Sequence, residues 1–247
     1  EILRDADIAM YRAKYLGKGR VDIFEPEMHA KVARTTRIEH DLHGVFERDE
    51  MELHYQPIIS LKTGMIAGFE ALLRWHHPEL GNIRPDEFIP IAESSEQIQH
   101  IGRWVMSSAC RELAVWNEEF GGKKQFFVSV NLSGRQVSQL DIVGVISNIL
   151  AETGVNPGNL HCEVTETLLI ADQDIARSNM AKLGKMGIQL SADDFGTGYS
   201  SLTYLQNFSF NSIKIDKQFV QGLEPTGKGR RLVVSLLKLA LDFDLSV

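Results

Sequence analysis

The chain has 247 residues, 43% hydrophobic and 24% charged, which suits one large folded domain or one domain with a fragment beside it. A balance of 26 lysines and arginines against 33 aspartates and glutamates gives a net charge of -7, which argues against binding duplex nucleic acid through cationic phosphate contacts. Two cysteines cannot form a disulfide framework, and no apolar run reaches the roughly 20 residues of a membrane span. We therefore expect a reduced, cytoplasmic chain without membrane contact.

The first 49 residues divide into two short segments. Residues 1–20 carry apolar side chains at helical spacing up to the helix-stopping Gly17-Lys18-Gly19, and a strand is predicted at 21–24. Since about 24 residues cannot enclose a core, we interpret 1–25 as the remnant of a preceding domain. Residues 26–49 are charged and helix-permissive, and are predicted to form a linking helix.

From residue 50 onward, short strand patterns alternate with helical ones. This alternation is typical of a mostly parallel sheet, either an open doubly wound sheet or a closed barrel. The predicted strands are 52–59, 65–75, 126–132, 160–165, 188–193 and 212–216, with a further strand beginning at 245–247. The predicted helices are 97–119, 137–153, 172–186, 200–207 and 229–243.

The two faces of these strands differ in polarity. In 126–131, Val128 and Val130 share one face, whereas Ser129 and Asn131 share the other. Strands covered by helices on both sides are nearly continuous apolar runs, so one polar face favours a barrel with functional groups at the carboxyl ends of its strands. An antiparallel sheet with a solvated face is the alternative, and the long helices argue against it. A closed barrel needs about eight strands. We therefore predict an α/β barrel truncated before its last βα units.

Polar residues end five of the predicted strands. Carboxylate and amide oxygens at one rim suit Mg²⁺ or Mn²⁺ rather than zinc. Adjacent aspartates repel each other unless a cation lies beside them, so the Asp193-Asp194 pair suggests a two-metal site. Singly, each residue has an ordinary explanation, such as a surface ion pair, a turn or an edge lysine. The set is Glu70, Asn131, Glu163, Asp193, Asp194 and Lys214.

Six motifs, in order from about Glu39 to the C-terminus, carry a family resemblance. The chain resembles the EAL-domain family of cyclic di-GMP phosphodiesterases, whose namesake triplet is Glu70-Ala71-Leu72. The motifs are Tyr55-Gln56-Pro57-Ile58, Gly68-Phe69-Glu70-Ala71-Leu72-Leu73-Arg74-Trp75, Val130-Asn131-Leu132-Ser133, Glu163-Val164-Thr165-Glu166, the run from Asp193 to Leu202, and Ile213-Lys214-Ile215-Asp216.

The resemblance implies a TIM-like barrel that hydrolyses cyclic di-GMP to linear pGpG with two Mg²⁺ or Mn²⁺ ions. It further implies that Lys214 helps to hold and activate the nucleophilic water, and that Glu166 orders the loop beginning at Asp193, which would link metal binding to homodimerisation. Arg74 would pair with a phosphate. The implied metal ligands are Glu70, Asn131, Glu163, Asp193 and Asp194, and the implied ligand-contacting residues are Gln56, Leu72 and Arg74.

Two expectations concern the ends of the chain. The segment from Ala6 to Lys14, followed by Gly17-Lys18-Gly19-Arg20, is similar to the last helix of GGDEF (diguanylate cyclase) domains, which implies an upstream GGDEF domain in the full-length protein. The family barrel normally continues past Val247 to an Ala-Glu-Gly-Val-Glu-like motif that supplies an active-site carboxylate. Residues 50–247 are therefore expected to form an EAL domain that is incomplete at its C-terminus, and we expect activity from the complete domain rather than from these residues alone. The alternative is an inactive receptor for cyclic di-GMP.

Overall fold

The computed structural model describes residues 10, 21, 23–120, 125–165, 173–196, 205–224 and 227–247. The chain divides into two compact units, one formed by residues 1–52 and 74–97 and the other by 53–73 and 98–247. Among the described helices, none is long and apolar enough to cross a membrane. The segment 1–25, predicted as a domain remnant, lies almost wholly outside the described residues, so its interpretation stays a prediction.

The first unit is built from helices α1 (Pro26–Leu42) and α2 (Pro85–Ser94), which pack against each other. A short strand, β3 (Gly81–Ile83), pairs antiparallel with the end of β2 (Ile66–His77). The ring of Trp75 meets that of Phe88 edge to face, with centroids 5.4 Å apart, and both side chains are fully buried. This aromatic contact is part of the buried core of the unit.

A buried carboxylate supports that core. Glu50 accepts a hydrogen bond of 3.0 Å from the indole Nε1 of Trp75 and one of 2.6 Å from Nε of Arg48. Its side chain is therefore satisfied although Glu50 is only 8% exposed. The predicted linking helix over 26–49 is shorter in the structure, because residues 43–49 form turns after α1 ends at Leu42.

The second unit contains the parallel ladder. Strands β2, β4 (Phe127–Leu132), β5 (Leu160–Thr165), β6 (Gln189–Phe195) and β7 (Ser212–Ile215) lie side by side in chain order, and every pairing between neighbours in this set is parallel. Strand β1 (Met51–Ile59) neighbours β2 on the other side, and Ser246 forms an isolated parallel bridge to Ser212. The predicted α/β class is thereby confirmed.

Helices connect these parallel strands, as a parallel sheet requires. The longest, α3 (Gln97–Glu119), buries a stripe spaced three and four residues apart. Helix α5 (Ile142–Thr153) ends at Gly154, whose positive φ of 68° closes the helix in the left-handed conformation that glycine adopts easily. Further helical segments among the described residues are α4 (Gly134–Val137), a short 3₁₀ turn (Pro157–Asn159), α6 (Gln173–Lys185), α7 (Lys217–Val220) and α8 (Lys228–Asp242).

The predicted helix over 137–153 was wrong at its start, because the chain breaks between α4 and α5. Buried Asn179 explains the break: its Nδ2 donates hydrogen bonds of 2.8 and 2.7 Å to the carbonyls of Val137 and Gln139. Those two carbonyls are thus satisfied outside a continuous helix. Helix α2 and strand β3 were not predicted.

The polar face of the strands is confirmed, but it is not solvated throughout. The apolar side chains of β4 and β5, such as Val128 and Val164, are buried, as expected for the face covered by helices. Ser129 and Glu163, from the opposite face, are also buried. Nearer the amino ends of the same strands, the rings of Phe127 and His161 stack with centroids 3.9 Å apart and planes 4° apart.

Candidate active site

The polar residues predicted at the strand ends come together in the second unit. The ladder sets this arrangement, because Asn131 is the Cα partner of Glu163 and Thr165 is the partner of Asp193. Glu70, from the middle of β2, therefore converges on one face of the sheet with side chains from the carboxyl-terminal halves of β4 to β7. We call the residues Glu70, Asn131, Glu163, Asp193, Asp194 and Lys214 the acidic cluster.

Lys214 stands at the centre of this cluster. Its Nζ lies 3.1 Å from Oε2 of Glu70 and 3.5 Å from Oδ1 of Asp193, and it also donates a hydrogen bond to Oε2 of Glu163. One ammonium group thus joins carboxylates from β2, β5 and β6. Three carboxylates therefore share one ammonium group, which can offset only one negative charge.

The second oxygen of each of the two glutamates is also hydrogen-bonded. Asn131 Nδ2 donates a 3.0 Å hydrogen bond to Oε1 of Glu70, and Ser129 Oγ donates a 2.5 Å hydrogen bond to Oε1 of Glu163. Both glutamates therefore use one oxygen for Lys214 and the other for a neutral donor. This division fixes their orientation, because a carboxylate held at both oxygens cannot rotate without breaking a hydrogen bond.

The protonation equilibria of Glu163 and Lys214 are shifted. Burial raises the pKa of Glu163, and repulsion from Glu70 raises it further, while Lys214 and Ser129 oppose the change. Burial alone would lower the pKa of Lys214, but Glu163 and Asp193 more than compensate and raise it. The carboxylates around Lys214 therefore favour its ammonium form.

A bulge at the end of β6 presents the two adjacent aspartates. Ala192 pairs with Ile213, but Phe195 pairs with Ile215, so one extra residue is inserted on β6. Asp194 adopts a positive φ of 52°, which is uncommon for a residue other than glycine. Bulges re-aim side chains next to functional sites. Asp193 thus lies beside Lys214, whereas Asp194 lies beside Asp216.

Asp194 contacts a carboxylate that the sequence-based site did not include. Burial raises the pKa of Asp194, and the neighbouring Asp193 and a hydrogen bond with Asp216 raise it further. Asp216 follows β7 directly, and its Oδ1 caps α7 by accepting a 2.7 Å hydrogen bond from the amide of Gln218. Its position at the end of the Ile213–Asp216 motif was the available signal.

The predicted substrate-contacting residues and Glu166 are not among the residues of the acidic cluster. Leu72 and Arg74 are half-buried on the face of β2 that also carries Glu70, and Gln56 is exposed on β1. Glu166 lies outside the described residues, as does the predicted helix 200–207 up to residue 204. The substrate contacts of Gln56, Leu72 and Arg74, and the catalytic role of Glu166, stay predictions.

The donors of the acidic cluster fit a divalent cation with hard ligands. Carboxylate oxygens from three strands lie around one ammonium, and the amide of Asn131 is beside them. Mg²⁺ and Mn²⁺ prefer such oxygen ligands. The residues present therefore suit the metal implied by the sequence motifs.

A separate cavity of about 250 Å³ lies between α3, α4 and α5. Gly102, Met106 and Gln136 contribute to its lining, and no residue of the acidic cluster does. The acidic cluster and this cavity are therefore two different features of the second unit.

Fold and cluster together define an α/β domain of the TIM-like type with an acidic site at the carboxyl ends of its parallel strands. The chain belongs to the EAL domain family, whose sequence model matches residues 38–247. The family predicted from the six motifs is confirmed by this match.

Named relatives agree with this assignment. The chain is 37% identical over its whole length to the bifunctional diguanylate cyclase/cyclic di-GMP phosphodiesterase MucR of Pseudomonas aeruginosa, and covers 36% of that protein. It is 36% identical over its whole length to the cyclic di-GMP phosphodiesterase PdeR of Escherichia coli, and covers 37% of it. The chain thus spans about a third of the length of these relatives.

Solved structures show the same fold. The structure described as the PaMucR phosphodiesterase in complex with c-di-GMP superposes with a TM-score of 0.77 at 36% identity, covering 85% of this chain and 84% of that one. An EAL domain of FimX from Pseudomonas aeruginosa, at 22% identity, superposes with a TM-score of 0.72 over 85% of this chain and 82% of that one, which supports the fold alone.

Proposed function

We propose that this chain belongs to the phosphodiesterase domain of a signalling protein, and that the complete domain hydrolyses cyclic di-GMP to linear pGpG. The observation that carries the proposal is the contact of one ammonium, Lys214, with carboxylates of Glu70, Glu163 and Asp193 from three different strands. Relatives named cyclic di-GMP phosphodiesterases support the substrate.

The acidic cluster would hold two divalent cations, Mg²⁺ or Mn²⁺. Glu70, Asn131, Glu163 and Asp193 would bind the first, and Asp194 would contribute to the second. Bound cations of this kind supply the charge that makes water a nucleophile near neutral pH and that holds phosphate oxygens. The fixed ammonium of Lys214 would orient the attacking water and balance charge as the phosphodiester is cleaved.

The substrate would lie against the face of β2 that carries Glu70. Arg74 would bind a phosphate through its planar guanidinium, since two parallel N–H donors match two phosphate oxygens. Gln56 and Leu72 would complete the contacts, and Glu166 would order the loop after Asp193. We also propose a homodimer and an upstream GGDEF domain in a cytoplasmic assembly.

The test is hydrolysis of cyclic di-GMP by the purified protein with Mg²⁺ or Mn²⁺, with pGpG detected by liquid chromatography. Glu70→Gln and Asp193→Asn keep side-chain size but remove a charged ligand, so turnover should fall at least a hundredfold. Glu152→Gln, an exposed glutamate on α5, is the matched control and should leave turnover unchanged. Full turnover by either cluster variant would refute the metal assignment.

Substrate binding is tested by a second variant. Arg74→Ala should raise KM for cyclic di-GMP about tenfold or more with a smaller change in kcat, because the lost contact is to a phosphate rather than to the reacting water. Arg84→Ala, which removes an exposed arginine paired with Asp86, is the control. Cyclic di-GMP binding without turnover in the wild-type protein would favour the receptor function instead.

A further inference from the structure

Two buried serines flank Glu163, one on each neighbouring strand. Ser129 lies on β4 and is 2% exposed, and Ser191 lies on β6 and is 5% exposed. On β6, Ser191 is the Cα partner of Glu163. On β4, the Cα partner of Glu163 is Asn131, and Ser129 lies two residues before it in the strand. Both serines therefore lie on the same face of the sheet as Glu163.

The two hydroxyl groups behave differently. Ser129 Oγ donates a 2.5 Å hydrogen bond to Oε1 of Glu163, whereas Ser191 Oγ has no hydrogen-bond partner among the described residues. The second oxygen of Glu163, Oε2, contacts Lys214. Ser129 thus determines which oxygen of Glu163 faces the centre of the acidic cluster.

Burial makes this contact consequential. Glu163 is 3% exposed, so water cannot replace a donor that is removed from Oε1. A hydroxyl that donates to a carboxylate also restricts rotation of the carboxylate plane, which is otherwise a soft torsion. Partners of metal ligands act in this way: they hold the ligand oriented and affect its affinity for the metal.

We propose that Ser129 is a positioning residue that directs Oε2 of Glu163 toward the divalent cation held by the acidic cluster. This inference rests on the proposed function, since it assigns a role relative to the cation proposed there. Ser129 itself touches neither the cation nor the substrate. It acts through Glu163. Ser191 serves as the control for Ser129, because it is also a buried serine on a strand next to Glu163.

The experiment measures Mn²⁺ and Mg²⁺ affinity by titration calorimetry for the wild-type protein and for Ser129→Ala, Ser191→Ala and Ser129→Thr. Ser129→Ala should weaken Mn²⁺ binding about 10- to 100-fold, in line with the loss of other partners of metal ligands. Ser191→Ala should remain within twofold of wild type, because its hydroxyl has no hydrogen-bond partner in the part of the chain that the structure describes. Ser129→Thr keeps the hydroxyl and should recover most of the affinity.

Kinetics separate this role from general loss of structure. For Ser129→Ala, kcat at fixed Mn²⁺ should fall while KM for cyclic di-GMP stays within about twofold, since no substrate contact is removed. A Ser129→Ala variant that binds Mn²⁺ as tightly as Ser191→Ala would overturn the inference and leave the proposed function standing. Failure of Ser129→Thr to recover affinity, at a wild-type melting temperature, would also overturn it. If wild type binds neither cation, both proposals fall together.

Discussion

Gly102 of α3 leaves room for the side chain of Gln136. A Cβ added at Gly102 would stand 1.6 Å from Nε2 of Gln136 and 2.9 Å from its Cδ, so the Gly102→Ala variant must displace that buried side chain. In its present place, Gln136 accepts a 2.8 Å hydrogen bond from the amide of Ser133 at Oε1 and donates a 3.1 Å hydrogen bond from Nε2 to the carbonyl of Ile98. Gln136 therefore connects α3 to the turn after β4.

The cost follows from these contacts. Two lost hydrogen bonds cost about 1 kcal/mol each, and the stranded Ser133 amide adds about 1 kcal/mol. Replacing glycine inside a helix returns about 0.8 kcal/mol. The expected loss in the free energy of unfolding for Gly102→Ala is therefore about 2 kcal/mol, equivalent to a lower melting temperature by about 4–8 °C.

Gly144 on α5 is the matched control. No atom lies within 4 Å of a Cβ added there, and the residue is exposed. Gly144→Ala should therefore stabilise the protein by about 0.8 kcal/mol, so two glycine-to-alanine changes in helices should have opposite signs. Urea unfolding followed by circular dichroism measures both.

A double-mutant cycle isolates the steric cause. Gln136→Ala removes the clashing atoms, so Gly102→Ala should stabilise the Gln136→Ala protein by about 0.8 kcal/mol, and the two changes should couple by about 3 kcal/mol. A coupling below about 0.5 kcal/mol, or a Gly102→Ala variant as stable as Gly144→Ala, would refute this reasoning.

Two further predictions concern buried titratable groups. Burial disfavours the charged form of Glu50, but hydrogen bonds from Arg48 and Trp75 lower its pKa overall. Ionised Glu50 therefore stabilises the folded protein above the pKa that the residue has in the unfolded chain, and this stabilisation is lost as the pH falls. Glu50→Gln should therefore reduce the acid dependence of the urea midpoint between about pH 5 and pH 3, and an unchanged dependence would contradict this. Burial raises the pKa of both thiols, that of Cys110 to about 12, so a thiol reagent at pH 8 should label neither Cys110 nor Cys162 until the chain unfolds. Rapid labelling of the folded protein would show that these cysteines are accessible.

The strands of the second unit could be predicted well from the sequence. The strand predicted at 160–165 is β5 with the same bounds, because its alternation of apolar and polar residues has the period of a strand. The same alternation predicted that Asn131, Glu163 and Asp193 share a face, and the parallel register then brings them together. For these residues, the face predicted from the sequence pattern agrees with the strand pairing in the structure.

Other features depend on distant contacts that no local pattern records. Helix α2 begins at Pro85 and contains Pro90, and prolines are ordinarily taken as helix breakers; Pro85 is favourable at the first position because no helical partner is needed for its nitrogen. The break before α5 depends on Asn179, about 40 residues away.

The part played by Ser129 was equally out of reach of the sequence. Its spacing places it on the polar face of β4, but a serine in a strand has no distinctive pattern. Only the position of Glu163 on the neighbouring strand shows that the hydroxyl has a charged partner. Predictions from sequence therefore find residues with strong chemical character and miss the neutral groups that orient them.

The stacked rings of Phe127 and His161 form an uncharged layer on one side of the acidic cluster, toward the amino ends of the strands. Burial lowers the pKa of His161 to about 4, so this ring pair is uncharged at neutral pH. The layer toward the amino ends of the strands thus adds no positive charge to offset Glu163, and its low polarity screens the carboxylates weakly. The carboxylate charges of the acidic cluster are therefore weakly screened from this side, which would strengthen their attraction for the divalent cation proposed there.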